Sequence, residues 1–254
     1  MCGIMGFVVS GRHRKADSVL LESIIAANVA RGTRGYGAWV WDPSGSFLVK
    51  EMAEISPDIA IQCTRLGTVC AIHTRAPTGG QDSYKELERV HPFSIGHFLF
   101  AHNGLLLNWR NNQTMEWLHD ASNGKLSRID VDSVAIAAGI QRHYEMGLSV
   151  HASICYTMEA VEGQAGCWLW DDQVKALYLW RVMSTVYIRL IDGVYYFSSA
   201  MVDGVFTEND LLTEGTVIRL LAAPFGDRAP PSKVWTNVGT GIEVLSNFNF
   251  KTPY

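Results

Sequence analysis

The chain has 254 residues and a formal net charge of -4, with 48% hydrophobic and 18% charged residues. This balance is typical of a globular protein with an apolar core, and it lacks the basic excess of nucleic-acid-binding domains. No apolar run approaches the roughly 18 residues of a membrane span, and the N-terminus lacks the basic and apolar regions of a signal peptide. We therefore expect a cytoplasmic protein that binds neither membranes nor nucleic acid directly.

The cysteines do not form a recognisable disulfide or metal framework. Their number is odd, and none of them form a C-x-x-C pair; they are Cys2, Cys63, Cys70, Cys155 and Cys167. An odd number argues against a set of structural disulfides. No set of histidine, cysteine and aspartate residues has the spacing of a zinc site. We therefore expect neither a metal nor a cofactor.

The first half of the chain alternates short β-like runs with one helical stretch. Residues 16–29 are predicted to be a helix, because Leu20, Ile24 and Ala27 recur on one face. Predicted strands cover 3–9, 36–42, 46–52, 68–74 and 97–101. A hairpin joins the second strand to the third, a Pro/Gly loop follows the fourth, and the turn signal Asn103-Gly104 ends the fifth.

Two helical stretches and a group of strands follow. Helical periodicity covers Val131–Ala138 and Val150–Val161. The predicted strands after them are 166–170, 175–182, 186–191, 194–198 and 216–221. Helices that are segregated from the strands in this way favour an α+β fold with antiparallel sheets. We expect one domain over residues 1–222 and, because prolines interrupt the rest, an irregular extension of it over 223–254.

The position of Cys2, directly after the initiator methionine, has a chemical consequence. Removal of Met1 would leave one residue with both a thiol and a free α-amine. Their unperturbed pKa values, about 8.5 and about 7.7–8.0, are close enough for the amine to take the thiol proton. Cys2 is therefore a candidate nucleophile with its own base. Position alone does not decide this, because some residue must follow every initiator methionine.

Three further positions have the chemistry that amide hydrolysis of an amino acid requires. Asn103 and the Gly104 backbone N–H could stabilise an oxyanion, although Asn-Gly is also an ordinary turn. Arg75, after a predicted strand, could bind a carboxylate with both ends of its guanidinium. Asp132, at a helix start, could bind an ammonium group or could only complement the helix dipole.

Taken together, these residues resemble the class II glutamine amidotransferase domain. The resemblance lies in ordered motifs: Met1-Cys2-Gly3-Ile4-Met5-Gly6, Arg31-Gly32-Thr33-Arg34-Gly35-Tyr36-Gly37, His73-Thr74-Arg75-Ala76-Pro77-Thr78-Gly79, His91-Pro92-Phe93, Ala101-His102-Asn103-Gly104-Leu105 with Asn108, and Val131-Asp132-Ser133. Each motif is short, but their order and gaps match the family. The match is clear over residues 1–140, whereas residues 160–220 match only in strand pattern.

The resemblance implies a fold and a set of roles. The fold is a four-layer αββα sandwich of two antiparallel sheets between helices, the N-terminal-nucleophile (Ntn) hydrolase fold. Cys2 would be the nucleophile, and Asn103 with the Gly104 N–H would form the oxyanion hole. The implied substrate residues are Arg75 and Thr78 for the α-carboxylate and Asp132 for the ammonium group. Arg31, Gly32 and His91 match positions that support the site.

The sequence departs from the family pattern at three positions near the implied site. Arg34 occupies the position of the usual aspartate, so the charge beside that loop is reversed. Ala76 replaces a residue that is often large, and Gly79 replaces a histidine of some relatives. These changes concern the shape and closure of the glutamine pocket more than the cysteine chemistry.

The expected activity is therefore release of ammonia from L-glutamine through a Cys2 thioester. Relatives fuse this domain to a synthase, whereas about thirty residues follow it here. We therefore expect a separate ammonia-accepting synthase or transferase as partner. Two alternatives remain at this stage: an amidase acting on another γ-glutamyl or acyl amide, and a catalytically silent binding module with the same fold.

Overall fold

The computed structural model describes residues 2–10, 14–76, 87–120, 131–222 and 242–247. The helices in these ranges are α1 (Ser18–Val29), α2 (Asp58–Leu66), α3 (Asn112–Asp120), α4 (Ser133–Glu145) and α5 (Val150–Ala160). The strands are β1 (Gly3–Val9), β2 (Gly35–Asp42), β3 (Gly45–Glu51), β4 (Val69–Arg75), β5 (Phe93–Ile95), β6 (Phe98–Leu106), β7 (Gly163–Asp171), β8 (Ala176–Val182), β9 (Tyr187–Ile191), β10 (Val194–Ser198), β11 (Thr216–Leu221) and β12 (Ile242–Asn247). Short 3-10 helices cover Leu87–Arg89 and Glu208–Asp210.

The strands form two six-stranded antiparallel sheets. Sheet A has the order β3-β2-β4-β1-β10-β9, and sheet B has the order β12-β11-β8-β7-β6-β5. Helices α1 and α2 pack on the outer face of sheet A, and α3, α4 and α5 pack on the outer face of sheet B. A third apolar layer lies between the sheets. These four layers confirm the predicted α+β fold and the αββα sandwich.

Apolar burial on both faces explains why the central strands are almost continuously hydrophobic. Every residue of β1 is buried, with Phe7 towards the helices and Ile4 and Val8 towards sheet B. Each large aliphatic side chain buried in this way contributes about 1.5–3 kcal/mol relative to exposure. Trp39 of sheet A packs against Trp170 of sheet B with ring centroids 4.7 Å apart. The layer between the sheets is therefore aromatic as well as aliphatic.

The central position of β1 determines where the chain places Cys2. β1 pairs with β4 on one side, with Gly3 opposite Thr74, and with β10 on the other, with Met5 opposite Ser198. Cys2 immediately precedes β1, so it lies beside the end of β4 and near the segment that follows β10. Two hydrogen-bonded neighbours hold this start of the strand in place.

The predicted strand end at Asn103-Gly104 is wrong. β6 continues through this pair to Leu106, because β7 pairs with it along its whole length, with Leu106 opposite Gly163. Gly104 adopts a φ of +155°, a conformation that glycine accepts at little cost. Pairing with β7 therefore overrides the local turn signal, and Asn103 lies inside a strand.

Other elements were not anticipated from the sequence. Helices α2 and α3 have nine residues each, and such short segments give a weak periodic signal. Within 223–254, which we expected to be irregular, β12 pairs with β11 and extends sheet B. Alternating apolar residues such as Ile242 and Val244 are typical of such an edge strand. Among the described helices, none has both the length and the apolar character needed to cross a bilayer.

Candidate active site

Cys2 lies at the edge between the buried sheet and the surface. The residue is partly exposed, and the backbone N–H of Ala76, just past β4, donates to its Sγ at 3.4 Å. Burial raises the pKa of the Cys2 thiol, whereas the Ala76 N–H lowers it, Asp132 raises it and Arg75 lowers it. Cys2 is therefore within electrostatic range of both charged side chains that the sequence singled out.

Arg31 and Gly32 form the loop that borders Cys2. Arg31 Nη1 donates to the carbonyl oxygen of Ser199 at 2.5 Å. Burial lowers the pKa of Arg31, and the neighbouring Cys2 and Tyr187 raise it. A Cβ on Gly32 would lie 2.6 Å from the carbonyl carbon of Arg75, so only glycine lets the loop approach this closely. The loop therefore supports the backbone that contacts the Cys2 sulfur.

The departure at Arg34 does not alter this support. Arg34 is exposed, and its backbone N–H donates to the Arg75 carbonyl oxygen at 3.0 Å. Ala76, the second departure, is buried and contributes the N–H to Cys2. The Ala76 contact with sulfur needs only the backbone. Thr78 and Gly79 lie outside the described residues.

Asn103 and Gly104 lie on sheet B, across the interface from β1 and β4. His73, opposite Ile4 on β4, approaches sheet B with its Nε2 3.2 Å from the His102 carbonyl oxygen. Asn103 is 2% exposed, and no group in the described ranges hydrogen-bonds its Nδ2. A Cβ on Gly104 would lie 1.9 Å from the Gln164 carbonyl oxygen. The structure therefore buries an amide N–H₂ group without a protein acceptor in this region.

Asp132 is fixed at the N-terminus of α4. Its Oδ2 accepts from the Leu106 N–H at 2.8 Å, and its Oδ1 accepts from the Ser133 N–H at 2.8 Å. His102 Nδ1 lies 4.0 Å from Asp132 Oδ1 and 3.0 Å from Ser133 Oγ. Ser133 Oγ also donates to Oδ1, at 3.4 Å. Each carboxylate oxygen has two lone-pair directions, so Oδ2 retains capacity for a further donor. The side chain is 15% exposed, which leaves it accessible from the cleft.

His91 lies in the protein interior next to His73 rather than at the surface. It is buried, and its ring stacks on His73 with centroids 4.0 Å apart. Neither ring nitrogen of His91 has a hydrogen-bond partner within the part of the chain that the structure describes. Burial lowers the pKa of His91 well below its ordinary value, and the charges of His73, His102, Lys50 and Arg75 lower it further. Both rings of the stack are therefore neutral in the folded protein.

This stack predicts an acid-labile fold. Burial also lowers the pKa of His73, to about 3, whereas a histidine in an unfolded chain titrates near about 6.5. Below about pH 6.5 the histidine of the unfolded chain binds a proton that the buried histidine of the folded protein does not bind. The free energy of unfolding therefore falls as the pH falls towards the folded-state pKa. At about pH 4.5 one such histidine lowers the free energy of unfolding by about 2–3 kcal/mol.

The variant His91→Phe tests this. It keeps a ring between His73 and Phe93 and removes one titrating group. We expect its urea midpoint to fall less than that of the wild type between about pH 7.5 and about pH 5. His119→Gln, at an exposed histidine on α3, is the control and should follow the wild type. Equal acid sensitivity in all three proteins would contradict the argument.

No family model and no curated protein sequence matches this chain. Solved structures do match. Glutamine phosphoribosylpyrophosphate amidotransferase from B. subtilis superposes with a TM-score of 0.64 at 16% identity, over 87% of this chain and 47% of that protein. A structure described as the allosteric regulatory enzyme of purine biosynthesis gives 0.65 and 16% over the same shares.

A third match has a similar length to this chain. It is a glutamine aminotransferase class-II domain protein from Silicibacter pomeroyi, with a TM-score of 0.54 and 11% identity over 87% of this chain and 95% of that one. This chain has the fold of the class II glutamine amidotransferases. It spans about half the length of the first two proteins. At identities this low, the structural matches establish the fold alone. The roles proposed for individual residues depend on the geometry of the site.

Within this amidotransferase fold, the predicted residues come from both sheets. Sheet A supplies Cys2 and Arg75, with the loop of Arg31 and Gly32 beside them. Sheet B supplies Asn103, and α4 on its outer face supplies Asp132. Together these residues contribute a thiol, two opposite charges and an amide N–H₂ group that has no acceptor within the described ranges. In the described residues, no three His, Cys, Asp or Glu side chains come together as a metal site.

Several polar residues near this site were not singled out from the sequence. His73 and His102 lie in the family motifs, but they were given no role. Asn28, Ser198 and Ser199 are completely buried polar residues beside β1, and neither motif nor periodicity distinguished them. Their only sequence signal is polarity on segments that are otherwise apolar.

Proposed function

We propose that this chain is a glutamine amidohydrolase in which Cys2 is the N-terminal nucleophile. One observation carries the proposal: a thiol at the start of the central strand contacts the Ala76 N–H and is within range of the charges of Arg75 and Asp132. An amino acid substrate needs a cation for its carboxylate and an anion for its ammonium group. The amidotransferase fold supports glutamine as that amino acid.

The first half of the reaction is attack of the Cys2 sulfur on the side-chain amide carbon of glutamine. Once Met1 is removed, the α-amine of Cys2 accepts the thiol proton, directly or through one water. The C–S bond forms, the tetrahedral intermediate collapses, and the C–N bond breaks. The leaving nitrogen takes this proton from the α-ammonium group of Cys2, and ammonia is released. Water then hydrolyses the glutamyl thioester, which releases glutamate and restores the thiol.

The negative oxygen of the intermediate requires fixed donors. We assign this role to Asn103 Nδ2 and the Gly104 N–H, because the buried Nδ2 has no acceptor within the described ranges. Preorganised donors of this kind lie about 2.7–3.1 Å from the developing oxyanion. We assign the α-carboxylate of glutamine to Arg75 and Thr78, and its ammonium group to Asp132. The bonds from Leu106 and Ser133 hold the Asp132 carboxylate in one orientation.

The ammonia needs an acceptor. The B. subtilis match is by its name an amidotransferase for phosphoribosylpyrophosphate, within a chain about twice as long. We propose that here a separate synthase or transferase docks and consumes the ammonia before it reaches solvent. We also propose that the reaction takes place in the cytoplasm. All five cysteines are free thiols, which suits a reducing compartment.

Labelling with 6-diazo-5-oxo-norleucine, an electrophilic glutamine analogue, tests the proposed function. We expect one label per chain, on Cys2, in a peptide whose mass shows that Met1 is absent. Glutamine should protect against labelling, and ammonia should be released from glutamine faster than aniline is released from γ-glutamyl anilides. Faster release of aniline from the anilides would instead support a different γ-glutamyl amidase. A label on another residue, or no turnover of any amide, would overturn the proposal.

A further inference from the structure

A buried polar network lies directly beneath the start of β1. Asn28, near the end of α1, has no exposed surface. Its Nδ2 donates to the Ile24 carbonyl oxygen at 2.9 Å and to Ser198 Oγ at 2.8 Å. Its Oδ1 accepts from Ser199 Oγ at 2.9 Å. The amide is therefore oriented from both ends, so it cannot rotate without breaking bonds that are buried and costly to lose.

Ser199 connects this amide to the strand that carries Cys2. Its Oγ accepts from the Ile4 backbone N–H at 3.0 Å, and its own N–H donates to the Ile4 carbonyl oxygen at 2.8 Å. Ile4 is two residues after Cys2. The Ser199 carbonyl oxygen accepts from Arg31 Nη1 at 2.5 Å and from Thr185 Oγ1 at 2.6 Å. Ser199 thus joins the nucleophile strand to the Arg31 loop.

Asn28 also contacts the residue next to Cys2. A Cβ on Gly3 would lie 2.8 Å from Asn28 Oδ1 and 2.6 Å from Thr74 Oγ1. Thr74 Oγ1 in turn donates to the Asn28 carbonyl oxygen at 3.3 Å. The backbone on the C-terminal side of Cys2 is therefore enclosed by α1 and β4. The side of Gly3 on which a Cβ would lie is filled by Asn28 and Thr74.

We propose that Asn28 and Ser199 are positioning residues that fix the backbone of Cys2 so that its sulfur meets the Ala76 N–H and the amide carbon of the substrate. The proposal rests on the proposed function, because it assigns the network to the placement of that nucleophile. Neither residue touches the sulfur. They act through Ile4 and Gly3, and a shift of about 1 Å at a reacting atom costs up to about 100-fold in rate.

The adjacent serines offer a matched test. Ser199→Ala removes the Oγ acceptor of the Ile4 N–H and the donor to Asn28. Ser198→Ala also removes one buried hydroxyl, with its bond to Asn28 and its two bonds to the Ala200 backbone, but Ile24 still holds the Asn28 amide and both bonds between Ser199 and Ile4 remain. We expect Ser199→Ala to lower kcat by about 10-fold with KM for glutamine within about 2-fold, because Arg75 and Asp132 are unchanged. Ser198→Ala should keep kcat within about 2-fold at a similar loss of melting temperature.

A second readout does not require glutamine turnover. The rate of Cys2 alkylation by iodoacetamide, followed across pH with peptide mapping, reports the thiolate fraction and its access. The Ala76 N–H lowers the pKa of the Cys2 thiol, so a shifted sulfur loses that stabilisation. We expect Ser199→Ala to be alkylated about 3-fold to 10-fold more slowly than the wild type near neutral pH, because a smaller fraction of the thiol is ionised. Ser198→Ala should match the wild type.

The outcomes separate the two proposals. If the wild type releases no ammonia from glutamine, the proposed function fails, and the alkylation comparison still decides whether Ser199 positions the thiol. If the wild type is active and the two alanine variants have equal kcat and equal alkylation profiles, the positioning inference is overturned.

Discussion

Replacement of Cys2 by alanine is expected to lower glutamine hydrolysis by about 10⁴-fold or more, because the attacking atom is lost. Binding should survive. Arg75 and Asp132 are unchanged, so glutamine should still raise the melting temperature of the variant. Ammonia release in a coupled glutamate dehydrogenase assay measures the first effect, and thermal shift with glutamine measures the second.

Cys155 supplies the matched control for this variant. It is also partly exposed, but it lies on α5 with its Sγ 3.3 Å from His151 Nε2, on the helical layer outside sheet B. Cys155→Ala should retain full turnover. Substantial hydrolysis by Cys2→Ala, or equal losses in both variants, would mean that the chemistry does not depend on the N-terminal thiol.

The second large effect is expected at Asn103. Replacement by leucine should lower kcat by about 10²–10³-fold, the usual loss for one oxyanion donor. The same change should leave the fold as stable as the wild type or more stable. A buried unsatisfied amide costs about 1–3 kcal/mol, and an apolar group of the same shape does not carry that cost. Within the described ranges, Nδ2 has no acceptor to lose.

Asn108 makes this prediction discriminating, because it is a paired asparagine just beyond the same strand. Its Oδ1 accepts from the Glu162 N–H at 2.8 Å. Asn108→Leu should therefore lower the urea midpoint and change kcat much less, so the two variants should differ in the sign of the stability change. A loss of stability in Asn103→Leu with unchanged kcat would show that its amide is structural.

Much of the fold could be predicted because buried positions are apolar and recur with the period of a helix or a strand. The central strands are apolar on both faces, so runs such as residues 3–9 and 68–74 stood out. Short elements such as α2 left too few apolar repeats. The strand predicted at β6 ended too early because Asn103-Gly104 carries a local turn signal. The observed extended conformation of this pair depends on β7, about sixty residues away in the chain. Local rules do not contain that pairing.

The candidate site divides in the same way. Cys2, Arg75, Asn103 and Asp132 were found because their chemistry is unusual for their positions and their order resembles a known family. Ser199 was not found, because its role depends on Ile4, which is 195 positions away in the sequence. A buried serine has no spacing rule that would reveal it. Residues that act through other residues become visible only when the chain is folded.

The division of the cleft between two sheets has a consequence for how its chemistry could change. The sulfur belongs to sheet A and the amide donor to sheet B, and side chains of the layer between the sheets, such as Trp39 and Trp170, hold the two sheets apart. The volume of these side chains therefore affects the distance between the nucleophile and the amide donor. Divergence in this core could retune catalysis while every reacting group keeps its identity.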